Sequence, residues 1–101
     1  MEYFYIRQND TKPSLSVDLT YQESIVDLTD ATVVFHMGAI VDATAVVVNA
    51  STGLVRYDWD AADTLLTGCY PCEFEVTYSD GSIQTFPNDT YLTIIITKEL
   101  S

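Results

Sequence analysis

A chain of 101 residues with 48% apolar side chains, including seven tyrosines, four phenylalanines and one tryptophan, can build one buried core and is too apolar for a disordered tail. Fifteen acidic residues against four basic give a formal net charge of −11, which leaves no cluster of Lys and Arg for nucleic acid or for an anionic membrane. No run approaches the ~20 apolar residues of a membrane span, and residues 1–7 lack the basic-then-apolar pattern of a secretory leader.

Residues 3–7 predict a strand apolar on both faces, with Tyr3 and Tyr5 on one and Phe4 and Ile6 on the other. After a turn at 9–13, residues 14–21 alternate strictly and place Leu15, Val17, Leu19 and Tyr21 inward. Residues 22–24 turn the chain into a short extended piece at 25–29. Asp30-Ala31 then leads into a strand at 32–37, with Val33, Phe35 and Met37 opposite Val34 and His36. Residues 38–42 read as a loop. Residues 45–49 and 54–59 form a hairpin in which Gly53 supplies a left-handed residue and Val55, Tyr57 and Trp59 point one way.

Residues 60–66 hold the one helical turn, with Asp60 placed to cap it and Asp63 in its first turn. The longest strand follows from Gly68, with Tyr70, Cys72, Phe74, Val76 and Tyr78 on one face and Glu73, Glu75 and Thr77 on the other. A turn at 79–82, a return strand at 83–86 and a last strand at 91–97 complete the chain. Short strands with turn signals every ~8 to 12 residues predict an all-β fold. Specifically, they predict an antiparallel β-sandwich of about seven to nine strands with one short helical turn, residues 1–101 forming a single domain.

Few side chains are arranged for chemistry. Cys69-Tyr70-Pro71-Cys72 has the spacing of a metal or redox pair, but a structural zinc needs four ligands and only His36 supplements the two thiols. Residues three apart on a strand also face opposite sides, so one core and one surface cysteine are expected, with a disulfide, a redox role or a shared metal as lesser readings. Asp58, Asp60 and Asp63 can offer carboxylates to calcium but lack the spacing of a twelve-residue calcium loop, and capping and solvation account for them. His36 is expected at a rim, no serine or cysteine has a base beside it, and Glu73 and Glu75 share one strand face where a glycosidase pair would flank a groove. The reading is of a non-enzyme, without catalytic, cofactor or metal residues. Gly68 and Tyr70 are similar to the tyrosine corner of immunoglobulin-like sandwiches, a structural feature. The sequons at Asn9, Asn49 and Asn88 read as turn formers.

Several segments, taken in order, resemble a known family: Ile6-Arg7-Gln8-x-Asp10, Val26-Asp27-Leu28-Thr29-x-Ala31-Thr32-Val33-x-Phe35, Thr52-Gly53-x-Val55-x-Tyr57-x-Trp59, Gly68-x-Tyr70, Glu73-Phe74-Glu75-Val76 and Gln84-Thr85-Phe86-Pro87-Asn88-Asp89. The family is the N-terminal domain of phage baseplate upper proteins and related tail proteins. The resemblance implies an immunoglobulin-like virion module of a tailed phage, made in the host bacterial cytoplasm, that assembles with other virion proteins in the tail or baseplate. A symmetric homo-oligomer in the particle is expected, and no nucleic acid, membrane, cofactor or small-molecule partner. The resemblance also implies a further domain beyond this one. The sequence ends at Ser101, which leaves a head-decoration or neck accessory protein as an alternative. Asp30 stands where the family is expected to turn on glycine. A carbohydrate- or receptor-binding adhesin is the competing class, with Trp59 as its exposed aromatic. Tyr3, Phe4, Tyr5 and Ile95 are the partner-facing candidates, because both terminal strands are apolar on their second face. Deleting residues 1–7 is expected to leave a folded domain that no longer assembles.

Overall fold

Alternating burial turns the sequence pattern into two facing sheets. The computed structural model describes residues 2–87 and 92–100, which form eleven strand segments. They are β1 (Glu2–Arg7), β2 (Leu15–Asp18), β3 (Thr20–Tyr21), β4 (Ser24–Ile25), β5 (Thr32–Met37), β6 (Val41–Thr44), β7 (Val46–Asn49), β8 (Leu54–Tyr57), β9 (Gly68–Thr77), β10 (Ile83–Phe86) and β11 (Leu92–Thr97). One sheet has the order β1-β11-β9-β5-β6, with β10 also on β9; the other has the order β2-β8-β7, and β3-β4 is a separate ribbon. Tyr91, expected to open the last strand, and the Asn88-Asp89 turn lie outside the described residues.

Strand β9 organises the larger sheet because its ten residues are long enough to hold three partners. Its first half pairs antiparallel with β11, from Ile96↔Gly68 to Leu92↔Cys72. Its second half pairs with β10, from Phe86↔Phe74 to Ile83↔Thr77, and on its other side with β5. The strands β10 and β11 thus follow one another along the same side of β9. Its inward side chains, Cys72, Phe74 and Val76, meet Phe35, Tyr57 and Trp59 in a core where Phe35 and Tyr57 stack at 4.5 Å and Phe35 and Phe74 tilt at 5.1 Å.

Four details depart from the sequence reading. Residues 14–21 do not form one strand: the chain leaves the sheet at Leu19, whose amide bonds the Gly53 carbonyl and whose carbonyl accepts the Val26 amide. Tyr21 therefore turns out into a small ribbon and is 45% exposed, not inward. The predicted loop 38–42 is cut short, because Val41 and Asp42 already pair with Met37 and His36 in β6. Ala45, expected within a strand, is the buried crossing point between β6 of one sheet and β7 of the other, its amide donated to the Val33 carbonyl. Finally, β1 lies parallel to β11 in an otherwise antiparallel sheet.

Other local features follow their residues. Gly53 has φ +74, and a Cβ there would lie 2.7 Å from the Leu19 carbonyl oxygen and 2.8 Å from that of Val26, so only glycine fits the packed turn. Asp30 adopts φ 59, taking the left-handed turn without glycine. Two 3-10 turns are present among the described residues where the sequence predicts one: Ala50–Thr52 within the β7–β8 hairpin, and the expected one, Ala61–Thr64, where the Asp63 carboxylate accepts from the Asp60 amide at 2.9 Å and from Tyr57 Oη at 2.6 Å. Buried Thr64 ties this corner to the N-terminal turn, its hydroxyl donating to the Asp10 carbonyl and its own carbonyl accepting from Asn9.

Candidate assembly surface

Parallel pairing of β1 with β11 aligns the outward side chains of three neighbouring strands. Tyr5 is registered with Ile95, and Ile95 with Cys69; the next row is Tyr3, Thr93 and Pro71. Tyr3 and Tyr5 are 53% and 64% exposed, Ile95 is half-buried, and Cys69 and Pro71 are exposed. These residues form an apolar end on the outer face of the larger sheet. The structure places Tyr3, Tyr5 and Ile95 on the same face of neighbouring strands.

Phe4 is a different case. It alternates inward, is partly buried and stacks on Trp59 with ring centroids 6.0 Å apart, while Ile6 beside it is 4% exposed. Strand β1 therefore contributes to the core as well as to the surface. Deleting residues 1–7 would remove buried side chains each worth about 1.5–3 kcal/mol, so that deletion tests folding and not assembly alone.

The other end of the same outer face is charged. Asp42, His36 and Glu73 form one row, and Thr44, Val34, Glu75 and Thr85 the next. His36 Nδ1 lies 3.2 Å from an Asp42 oxygen and Nε2 lies 4.0 Å from one of Glu75, so the histidine sits on the sheet surface among carboxylates. A recess of about 240 Å³ opens here, lined by His36, Gly38, Pro71, Cys72 and Glu73. Its thiol is poorly suited to nucleophilic attack: burial, helped by the charge of Glu73, pushes Cys72 up to about 12.

A second groove, of about 340 Å³, flanks the end of β1 and is lined by Tyr5, Ile6, Arg7, Asp10, Lys12, Pro13 and Thr97. Sequence reading passed over Arg7 and Lys12, because two basic residues five apart carry no pattern until a turn folds them to one place.

The remaining candidates are structural. Cys69 is exposed and Cys72 buried, both as free thiols, on opposite sides of β9. Asp58 accepts from Ser14 and Arg56, which hold its carboxyl below the usual range, and Asp63 serves Tyr57 and the Asp60 amide. Among the described residues no group of three or more His, Cys, Asp or Glu could hold a metal ion. Tyr70 Oη donates to the Leu66 carbonyl at 2.9 Å and lies 3.2 Å from that of Thr67, the geometry of a tyrosine corner. Trp59 is 5% exposed, in edge contact with Phe35 and Tyr57, which removes it as an exposed adhesin aromatic. No helix among the described residues is long and apolar enough to cross a membrane.

The fold is an all-β sandwich whose larger sheet carries an apolar end and a charged end on its outer face. The profile of the BppU N-terminal domain matches residues 2–96, and the chain belongs to that family, the baseplate upper protein N-terminal domain of phage tails. Among solved structures it is similar to the N-terminal domain of phage TP901-1 ORF48, with a TM-score of 0.64 and 15% identity over 95% of this chain and 83% of that one. It is also similar to CopC from Methylosinus trichosporium OB3b, with a TM-score of 0.56 and 12% identity over 100% and 89% of the two chains. At these identities both likenesses show the fold. No curated protein sequence matches the chain.

Proposed function

We propose that the chain is a non-enzymatic assembly module of a tailed-phage virion, seated in the tail or baseplate and repeated there by the symmetry of the structure it joins. The observation that carries this is the aligned apolar end of the outer sheet. Tyr5, Ile95, Cys69 and Pro71 crown strands whose inner faces are already filled, so folding alone does not use them. Family membership supplies the setting, other virion proteins. The charged end and the remaining acid keep the free subunit soluble until it is captured.

The test is the double substitution Tyr5→Ser with Ile95→Thr, introduced into the phage. Both residues point outward, so the purified domain should keep its unfolding midpoint within about 1 kcal/mol of the parent in free-energy terms. Particles should lose the protein, or fail to assemble. Incorporation at the parental level by a folded double variant refutes the reading.

A further inference from the structure

Strand β1 ends the order of the larger sheet, and among the described residues no strand pairs with its outer edge. The Gln8 amide donates to the Thr97 carbonyl, so by the two-residue alternation of backbone groups Phe4 and Ile6 face β11. The amide and carbonyl of Tyr5 and the amide of Arg7 face the open edge; the Arg7 carbonyl is taken by the Asp10 amide. Beside that edge lies the groove holding Arg7 and Lys12, with Asp10 as its single acid. Arg7 Nη1 also donates to the Lys98 carbonyl, so the backbone of a third basic residue, of the chain's four, passes this corner, followed by Glu99, which accepts from Asn9 Nδ2. The fourth, Arg56, is bound to Asp58 on the smaller sheet.

We propose that the edge of β1 receives an extended segment of a partner protein by strand addition, and that an acidic side chain of that segment seats between Arg7 and Lys12. This rests on the assembly reading above and adds the partner's chemistry. Main-chain pairing at an open edge is nearly indifferent to sequence, so selectivity must come from side-chain sites along it. The groove is such a site: its lining sets two basic side chains, Arg7 and Lys12, against Asp10, with Glu99 close by on Asn9, in a chain that is otherwise strongly acidic. With a screening length of about 8 Å at physiological salt, a seated carboxylate responds to Arg7 and Lys12 and little to distant acids. A second copy is the poorer occupant, because two chains of −11 repel as they approach.

The full chain, labelled with nitrogen-15, is titrated at millimolar concentration with acetyl-Val-Thr-Val-Asp-Val-Thr-amide and with analogues carrying Asn or Lys in place of Asp. Shifts are expected at the Tyr5 and Arg7 amides, with affinity falling about fivefold from Asp to Asn and again to Lys. Lys12→Glu should invert that order; Lys12 is exposed and makes no side-chain hydrogen bond or ion pair among the described residues, so the variant should keep its unfolding midpoint, which is measured first. Equal affinity for the three peptides with the Tyr5 amide still shifting overturns the groove assignment and leaves the assembly surface standing. Shifts confined to β2 or β7, no binding, or self-association of the chain in sedimentation overturn the proposal outright. Parental incorporation of Tyr5→Ser/Ile95→Thr into particles removes the surface itself, whatever the peptides do.

Discussion

The two faces of β9 are made from alternate residues of one ten-residue strand, yet different constraints act on them. Inward, Cys72, Phe74 and Val76 are closed off by the opposite sheet, so volume and shape decide what is tolerated. Outward, Cys69, Pro71, Glu73 and Glu75 meet solvent, and their character changes along the strand from apolar to acidic. The change coincides with the switch of partner: β1 and β11 lie beside the apolar part, β5 and β6 beside the charged part. Packing explains the first face. The assembly use proposed above is what would give the second its division.

The strongest way to separate the faces is thiol reactivity. Cys69 should react with a maleimide at once, and Cys72 only through opening of the core, a difference on the order of a thousandfold or more, read by mass spectrometry of the labelled chain. Comparable rates would mean that the inner face is not closed. The next largest contrast is mutational. Phe74→Ala should cost about 3–5 kcal/mol in denaturant unfolding, whereas Glu75→Gln directly after it should stay within about 0.5 kcal/mol. Tyr70→Phe, which removes the hydroxyl holding the corner before β9, should cost about 1 kcal/mol.

Alkaline pH sharpens the same contrast. The folded state keeps Cys72 protonated up to about 12, while the unfolded thiol ionises near its ordinary 9, so the unfolded chain releases its proton first. Stability should therefore fall as pH rises from 9 toward 12. Burial and the Asp63 carboxylate raise Tyr57 as well, which acts in the same direction at the upper end. Cys72→Ala should flatten the first part of the decline in pH-dependent unfolding, and an unchanged slope would remove Cys72 as its source.

Much of this was legible from side-chain alternation alone. Period-two patterns placed Val33, Phe35, Met37, Val55, Tyr57, Phe74 and Val76 on the inner faces, and the need for a left-handed residue marked Gly53. The separation of Cys69 from Cys72 followed from strand geometry, although their spacing suggested a pair. Illegible were the places where the chain changes partners. Leu19 and Ala45 continue the local pattern perfectly well, and only the carbonyl of Val33 or the amide of Val26, from other strands, reveals that a sheet has been left. The groove was hidden for the same reason, since Arg7 meets the backbone of Lys98 across ninety-one positions of sequence. Phe4 stands beside Tyr3 and Tyr5 among the partner-facing candidates because a strand apolar on both faces gives no sign of which face is covered; Trp59, stacked on it, decides that.

The parallel alignment of β1 with β11, from Glu2↔Leu92 to Arg7↔Thr97, has a mechanical consequence. In this arrangement the chain enters at one end of the strand pair and leaves at the other. Tension applied between residues 2 and 97 acts along the strands and loads the inter-strand hydrogen bonds together in shear, where an antiparallel pair pulled from one end would unzip them singly. The β1–β11 pair is thus arranged to resist a pull along its length between residues 2 and 97, failing by sliding and not by peeling.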